Sequence, residues 1–383
     1  MLNLDADYLG EEHALLRQQL RRFVDEQVRP KSEDWEAAGS LPLSVYQDLG
    51  RLGFLGVSIP EVAGGGGFDA LGTVVFGEEI GRSGNGGFAA AISDHADITA
   101  PVIARAGTQD QCTRFLPAIL SGDRIAGLAV TEPRGGSDLT RMTTTATRDG
   151  DDWVLNGQKT YITNAVSGQV FVTIAKTDPE AKGGKGFSLF VVEKGGDGFS
   201  VGSNFQKTGW KSSDMSELFF DGFRVPHANL LGEEGKGFYL MMGGIENERL
   251  SIGAQCVGMA ERAIELTLPY LKDRKAYGGT LWDLQTIRHD IAALVAELST
   301  AKLMVYHAAR KKSRGESIRQ ESTIIKATVP ELLKRLVDTC IQHHGAYGYM
   351  QGSEIERLWR DTRPHSLGGG ASAVMLDELA KQL

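Results

Sequence analysis

Two acidic residues at the start of a long apolar helical pattern could supply a general base. The run Glu246-Asn247-Glu248-Arg249-Leu250 follows two methionines and two glycines at positions 241–244. A carboxylate in such a partly apolar pocket loses hydration, which raises its pKa and makes it a better proton acceptor. The alternative is an acidic first turn that only complements the helix dipole, and spacing alone favours this simpler interpretation.

Two segments could hold the polar edge of a planar ring or a phosphate. Residues 128–138 read LAVTEPRGGSD, an apolar strand entering a glycine-rich turn that exposes backbone N–H groups and hydroxyls. Residues 156–164 read NGQKTYITN, in which Tyr161 and Thr163 stand two apart and share one face of a strand. One could stack on a ring while the other bonds its edge. An ordinary hairpin turn and a half-buried strand are the alternatives.

Glycine turns near the C-terminus could let the backbone approach a cofactor or a second subunit closely. Residues 342–349 read QHHGAYGY, residues 357–361 read RLWRD, and Gly368-Gly369-Gly370 follow. Glycine permits such an approach because it has no Cβ atom. Simple helix capping explains the same residues without any ligand.

Several function classes are disfavoured by what the chain contains. Its 383 residues include 41 Lys+Arg and 49 Asp+Glu, so a net charge of −8 argues against a broad nucleic-acid surface. P-loop, GxGxxG, HExxH and GxSxG motifs are not found. Cys340, His343 and His344 cluster, but without a second cluster they predict no metal site. Three cysteines and an N-terminus without a leader pattern predict a cytoplasmic protein, and no apolar run approaches a membrane span.

The order of elements predicts three domains. Helical spacing dominates residues 1–122, short β-rich runs separated by turns dominate residues 123–232, and helical spacing returns in residues 233–383. The central runs resemble a small antiparallel sandwich or barrel. Two long helices are expected near 283–312 and 321–344, and the helix before them should kink at Pro269.

Taken in order, these segments resemble the acyl-CoA dehydrogenase family of flavoproteins. TEPRGGSD looks like the family's TEPxxGSD segment, and LNGQKTYITNA looks like its NGxKxxITN segment. The run SELFFDGFRVPHANLLGEEGKGF, the run RKAYG with Gln285, and QHHGAYGY followed by RLWRDTR also match in order. The resemblance covers nearly the whole chain. It implies an α+β fold with an N-terminal helical domain, a central β domain and a C-terminal four-helix bundle.

The resemblance also implies a bound FAD and the residues that hold it. One set should meet the flavin ring: Leu128, Val130, Thr131, Gly136, Ser137, Tyr161, Ile162 and Thr163. A second set should contact the FAD of the neighbouring subunit. Arg274, Tyr277 and Gln285 should hold its pyrophosphate and adenosine, and the loop Gln342, His343, His344, Gly345 and Ala346 should contact FAD across the dimer. Ala371 and Ala373 stand where the family has polar residues that help to hold the flavin. A shared FAD site implies at least a homodimer, and the family is commonly a homotetramer built as a dimer of dimers.

The position of the base separates branches of the family. Many members use a glutamate in a late Glu-Gly-Thr loop, where this chain reads Gly369-Gly370-Ala371. A second branch, including isovaleryl-CoA and long-chain enzymes, takes the glutamate from a helix just before an Arg-Leu pair, which here is Glu248. The resemblance therefore implies that Glu248 takes the pro-R α-proton while the β-hydride passes to flavin N5. The backbone N–H of Gly369 should be one donor to the thioester oxygen.

The implied reaction is α,β-dehydrogenation of a saturated acyl-CoA to the trans-2-enoyl-CoA, with electrons passed to an electron-transfer flavoprotein. Ser137, Glu246, Arg249 and Gly370 are expected at the substrate. A carrier-protein thioester, an oxygen-using oxidase or monooxygenase, and a non-catalytic acyl-CoA-binding protein are the alternatives. Chain length and branching stay open. So does the direction of Asp94 and Asp97, which lie on the helix expected near the acyl tail.

Overall fold

The first part of the molecule is helical, and its helices frame one side of the central sheet. A computed structural model describes residues 3–383. Helices α1–α8 span Asp5–Tyr8, Glu11–Phe23, Ser32–Ala38, Leu43–Arg51, Ala70–Gly81, Gly86–Ser93, Ala100–Ala106 and Gln109–Leu120. Asp69 caps α5 by accepting the N–H groups of Leu71 and Gly72. Between α6 and α7 the helix does not end but passes through a π-helical turn, Asp94–Thr99.

The middle part is an eight-stranded sheet. Strands β1–β8 span Ala126–Ala129, Thr145–Asp149, Asp152–Thr163, Val170–Lys176, Phe187–Glu193, Phe199–Val201, Met215–Pro226 and Leu230–Leu231. Their order is β6-β7-β3-β2-β4-β5-β8, and β1 pairs with β4. Most strand pairs are antiparallel, as expected, but β1 and β2 each run parallel to β4. The β2–β3 hairpin reverses the chain, and β4 then runs in the same direction as β2.

The last part is a bundle of long helices. Helices α9–α15 span Gly237–Met242, Ile245–Asp273, Gln285–Ser313, Arg319–His344, Ala346–Tyr349, Glu354–Asp361 and Ser372–Ala380, and the short strands β9 (Lys275–Ala276) and β10 (Gly279–Thr280) join α10 to α11. Helix α10 continues through Pro269 to Asp273. It packs against α5 and α12, so the N-terminal and C-terminal helices share one hydrophobic core.

Helix α11 is the one helix among residues 3–383 that is long and apolar enough, by length and composition, to cross a bilayer. The sequence expectation missed it because Glu297 and Lys302 interrupt its apolar residues. Its buried side chains, such as Ile291, Leu298 and Val305, belong to the core of the bundle. The absence of membrane insertion stays a prediction.

A buried aspartate ties the three parts together. The Asp361 carboxylate, at the end of α14, accepts the N–H of Gly86 at 2.9 Å and the N–H of Trp210 at 2.6 Å. The neighbouring Arg360 forms an ion pair with Glu36 of α3. The RLWRD segment therefore fixes how the helices meet the sheet.

Candidate active site

Glu248 lies on the first turn of α10 and faces the loop that precedes α15. A Cβ atom added to Gly369 would stand 3.0 Å from Glu248 Oε1 and 2.7 Å from Ile252 Cδ1. The helix glutamate and the late loop therefore converge on one point, although more than 100 residues of chain separate them. The structure thus brings together the two residues to which the resemblance assigns the base and the N–H donor, and their roles stay a prediction.

The surroundings of Glu248 suit a proton acceptor. Burial raises the pKa of its carboxyl above the ordinary value, and the charges of Arg249 and Lys326 oppose that rise. A carboxylate that has lost water but keeps two nearby cations is both reactive and ionisable at neutral pH.

Lys326 of α12 holds the late loop, a role that motif reading missed. Its Nζ atom donates to the carbonyl of His365 at 2.9 Å and to the carbonyl of Gly370 at 2.6 Å, and its side chain is fully buried. Gly369 and Gly370 have φ values of +65° and +102°, which L-residues rarely adopt. A lysine between apolar residues of α12, Ile324-Ile325 before it and Ala327 after it, was the available sequence signal. By fixing these carbonyls, Lys326 sets where the Gly369 N–H points.

The turnover of a Lys326→Met variant is expected to fall by a factor on the order of 10–100, because a displaced loop no longer holds the Gly369 N–H in position. Loss of the ammonium also removes a charge that favours ionised Glu248, so the acidic limb of the kcat/KM profile should move to higher pH. Steady-state kinetics across pH, with Lys312→Met as the control lysine, checks both effects. An unshifted acidic limb would contradict the assignment of Lys326 to this site.

Two residues expected at the substrate have other partners. Glu246 accepts hydrogen bonds from Ser317 Oγ at 2.9 Å and from the Ile318 N–H at 3.3 Å, and forms an ion pair with Lys312. Its carboxylate is thus directed to the α11–α12 connection. Arg249 Nη1 donates to Thr323 Oγ1 at 3.2 Å, and its Nε atom has no hydrogen-bond partner among the described residues. Both oxygens of Glu246 are therefore bonded, whereas Arg249 keeps a buried donor without a partner.

The end of β1 and the turn after it are held by a buried ion pair. Lys159 Nζ lies 2.8 Å from Glu132 Oε1 and also donates to the Val130 carbonyl at 3.2 Å. Glu132 further accepts the N–H groups of Thr143 and Thr144. These bonds join the TEPRGGSD and NGQKTYITN segments, which the sequence alone could not connect. The stretch that this ion pair anchors contains Leu128, Thr131, Gly136 and Ser137. A Cβ atom added to Gly136 would meet no atom within 4 Å.

The strand opposite presents an aromatic ring and a hydroxyl beside that backbone. Tyr161 has φ of +58° at an irregularity in the β3–β7 pairing, and its ring is 63% exposed. Such strained, exposed residues concentrate at functional sites. Thr163 lies two residues on and is also less buried than Ile162, whose side chain points into the sheet core. This surface combines an aromatic face with hydroxyls and open backbone groups, and it fits a flat ring with a polar edge. The side chain of Ile162 is buried, so Ile162 can contribute only its backbone.

Asp94 and Asp97 both point inward. Each is 8% exposed, and Asp97 Oδ2 accepts a 2.7 Å hydrogen bond from Ser251 Oγ on α10. Asp94 Oδ2 lies 3.4 Å from the Leu128 N–H of β1. The π-helical turn thus places Asp97 against α10 and Asp94 against β1, the strand that leads into the TEPRGGSD segment.

The second set of predicted cofactor residues lies at the far end of α10. Arg274 and Tyr277 belong to the β9–β10 hairpin, and Gln285 begins α11. His344 at the end of α12 stacks on Tyr270 with ring centroids 4.3 Å apart, and an added Cβ on Gly345 would meet no atom within 4 Å. At 1.5 Å per residue, this end of α10 lies about 40 Å from Glu248.

The remaining members of that set divide between inward and outward positions. His344 is buried, and His343 Nε2 lies 3.5 Å from Asp290. Gln342 and Ala346 flank them where α12 ends. One chain therefore does not bring this second set together with Tyr161 and Glu248. Ala371 and Ala373 lie elsewhere: Ala371 precedes the first residue of α15, directly after the Gly369-Gly370 loop, and Ala373 is exposed on α15.

Comparison with known proteins shows to which family the chain is similar. Three family models match: "Acyl-CoA dehydrogenase, N-terminal domain" over residues 10–123, "Acyl-CoA dehydrogenase, middle domain" over 127–223 and "Acyl-CoA dehydrogenase, C-terminal domain" over 235–383. The chain is 36% identical over 375 residues to a mitochondrial long-chain specific acyl-CoA dehydrogenase of Rattus norvegicus, covering 98% of this chain and 87% of that protein.

The chain is also similar to a subunit of a redox complex and to a protein of solved structure. The chain is 32% identical over 368 residues to the caffeyl-CoA reductase-Etf complex subunit CarC of Acetobacterium woodii, covering 96% of this chain and 97% of that protein. An acyl-CoA dehydrogenase crystal structure from Geobacillus kaustophilus superposes with a TM-score of 0.94 at 38% identity, covering 98% of both chains.

Proposed function

Because this chain belongs to the acyl-CoA dehydrogenase family, whose members are flavin-dependent oxidoreductases that use FAD, we propose that it converts a saturated acyl-CoA to the trans-2-enoyl-CoA and passes the electrons to an electron-transfer flavoprotein. The observation that supports this proposal is the Glu248 carboxylate lying against Gly369, where an added Cβ atom would stand 3.0 Å from Glu248 Oε1. The similarity to a subunit of an Etf complex supports the choice of electron acceptor.

The β1 backbone, Tyr161 and Thr163 would hold FAD, which would supply the hydride acceptor for the reaction. Glu248 takes the α-proton, and burial keeps its carboxylate basic enough to do so. The Gly369 N–H donates to the thioester oxygen, where negative charge develops, and Lys326 fixes that N–H by bonding the Gly370 carbonyl. A donor that is already in place costs no reorganisation when the charge forms.

We further propose that the active unit is at least a homodimer. The predicted adenosine-side residues lie about 40 Å from Glu248 along α10, so a second copy is needed to bring them to the same FAD. Their surroundings expose large side chains, namely Tyr277, Tyr347, Tyr349 and Met350, which are 61–92% exposed. Exposed aromatic clusters of this kind are typical of protein interfaces. Cytoplasmic location stays a prediction.

Anaerobic bleaching of the flavin absorbance tests the reaction. Isovaleryl-, octanoyl- and palmitoyl-CoA would be mixed with the purified holoprotein, followed by acyl-CoAs with polar chains. Bleaching by any saturated acyl-CoA, with formation of the matching enoyl-CoA, is the expected result. A flavin-loaded protein that no acyl-CoA bleaches would contradict the proposal and favour a carrier-protein thioester or a non-catalytic binding role.

A further inference from the structure

The π-helical turn Asp94–Thr99 places a carboxylate beside the reacting centre. The turn interrupts an otherwise continuous helix between Gly86 and Ala106, where that helix packs against both β1 and α10. π-Helical turns inside α-helices are frequent at functional sites. Asp94 is the first residue of the turn, and its Oδ2 atom would stand 3.3 Å from a Cβ added to Gly127 of β1.

The two aspartates of this turn, Asp94 and Asp97, differ in the hydrogen bonds that their carboxyl groups accept. Asp97 bonds Ser251, and Gln255 Nε2 donates to both Ser251 and Ser93, so a closed network surrounds it. Asp94 has one long hydrogen bond, from the Leu128 N–H at 3.4 Å, although it is more than nine-tenths buried. Its other carboxylate oxygen has no hydrogen-bond partner among the described residues.

The charges that face Asp94 are of the same sign. Glu248 on α10 and Asp214, beside β7, are the charged groups that act on it, and both oppose its ionisation. The adjacent His95 is no counter-ion, because its ring bonds the Ile119 carbonyl and the Ala126 N–H and burial lowers its pKa to about 4. Among residues 3–383, no lysine or arginine forms an ion pair with Asp94.

A buried carboxylate without a counter-ion costs free energy, and groups held in this state concentrate where a ligand completes them. A plain alkyl chain would leave Asp94 unpaired, and an anionic chain would add repulsion. A positively charged chain would pair with Asp94 and offset the charges of Glu248 and Asp214 as well.

We propose that the acyl group of the substrate carries a positive charge a few bonds from the thioester, as an alkylated amine, and that Asp94 is its counter-ion. This inference rests on the proposed function, because it assigns a substrate class to the same site. In this proposal Glu248 removes the α-proton, and Asp94 selects the part of the acyl chain that lies beyond the thioester.

The test compares three thioesters of similar size. They are 4-(trimethylammonio)butanoyl-CoA, its uncharged isostere 5,5-dimethylhexanoyl-CoA, and the anionic glutaryl-CoA. The wild-type holoenzyme is expected to reduce its flavin with the cationic ester at a kcat/KM at least ~10-fold above that with the isostere, and slowest with glutaryl-CoA, since a buried charged contact typically contributes that much.

Substitutions then locate the selectivity. Asp94→Asn should bring the cationic-to-neutral ratio close to one, whereas Asp97→Asn, a matched acid on the same turn, should leave that ratio within about threefold of wild type. An isostere that reacts as fast as the cationic ester in the wild type overturns this inference but leaves the dehydrogenase function standing. Reduction by none of the esters, including the alkyl panel, overturns the function and the inference with it. Equal loss of the ratio in both variants overturns the assignment to Asp94.

Discussion

A Glu248→Gln variant is expected to keep its FAD and to lose at least ~10³-fold in the rate of flavin reduction, in the upper part of the range for loss of a general base. Glutamine has nearly the same shape, so the packing against Gly369 and Ile252 is preserved while the proton acceptor is removed. Stopped-flow reduction under anaerobic conditions measures the rate, and the flavin-to-protein absorbance ratio measures cofactor content.

The pH profile of the wild-type enzyme gives a second measure of the same residue. The base must be ionised to act, and burial raises the pKa of Glu248 above the ordinary 4.5. Activity should therefore be full at higher pH and fall as pH drops through that raised pKa, in a window above about 4.5. In Glu248→Gln this limb should vanish from the residual rate.

Glu321→Gln serves as the matched control, because Glu321 is a half-buried carboxylate of the same bundle that pairs with Lys311 at 2.7 Å. Its flavin reduction should stay within about threefold of wild type. A Glu248→Gln enzyme that reduces its flavin at a near-normal rate would remove Glu248 from the mechanism.

Breaking the Glu132–Lys159 pair should cause the largest loss of stability. Their side chains are 1% and 0% exposed and lie 2.8 Å apart, so Glu132→Gln or Lys159→Met leaves one buried charge uncompensated. Such a change typically lowers the free energy of unfolding by about 3–5 kcal/mol. Since Lys159 also bonds the Val130 carbonyl, we expect weaker FAD retention in both variants.

The pair also predicts an acid-dependent loss of stability. Burial acts to raise the pKa of Glu132, but the Lys159 ammonium and the Thr143 and Thr144 donors outweigh it and hold the pKa at about 2. The unfolded carboxyl titrates near 4.5. The stabilisation is therefore present above pH 4.5 and is lost as pH falls toward 2, and this part of the acid transition should be missing in Glu132→Gln.

Chemical denaturation of the single variants, the double variant and Arg124→Met measures these effects. The double variant should recover part of the loss, since it removes both buried charges. Arg124→Met breaks an exposed pair with Glu193 and should cost less than about 1 kcal/mol. A loss from Glu132→Gln no larger than that of Arg124→Met would contradict the role of the buried pair.

The order of helices and strands was readable from the sequence because each element has a period of its own. Turn residues separate the β-rich runs 125–131, 153–162, 170–175, 187–192 and 217–225, and these match β1, β3, β4, β5 and β7 to within two residues at each end. The predicted helices 283–312 and 321–344 match α11 and α12 equally closely. The strands Thr145–Asp149 and Phe199–Val201 were missed, because they are short and lack a strongly alternating pattern. The π-helical turn was also missed, since its residues are as compatible with an α-helix.

The sequence by itself determined the family, the α-β-α order, the loss of a carboxylate at residue 369 and the glutamate at residue 248, because these depend on residue identity in motifs. Only the tertiary structure decided that Glu248 and Gly369 meet, that Lys326 anchors their loop, that Glu132 pairs with Lys159, and that Asp94 turns inward while Glu246 turns away. Each of these depends on contacts between residues far apart in the chain. Local periodicity does not indicate which backbone group or charged residue from a distant part of the chain a side chain will contact once the helices and the sheet have packed.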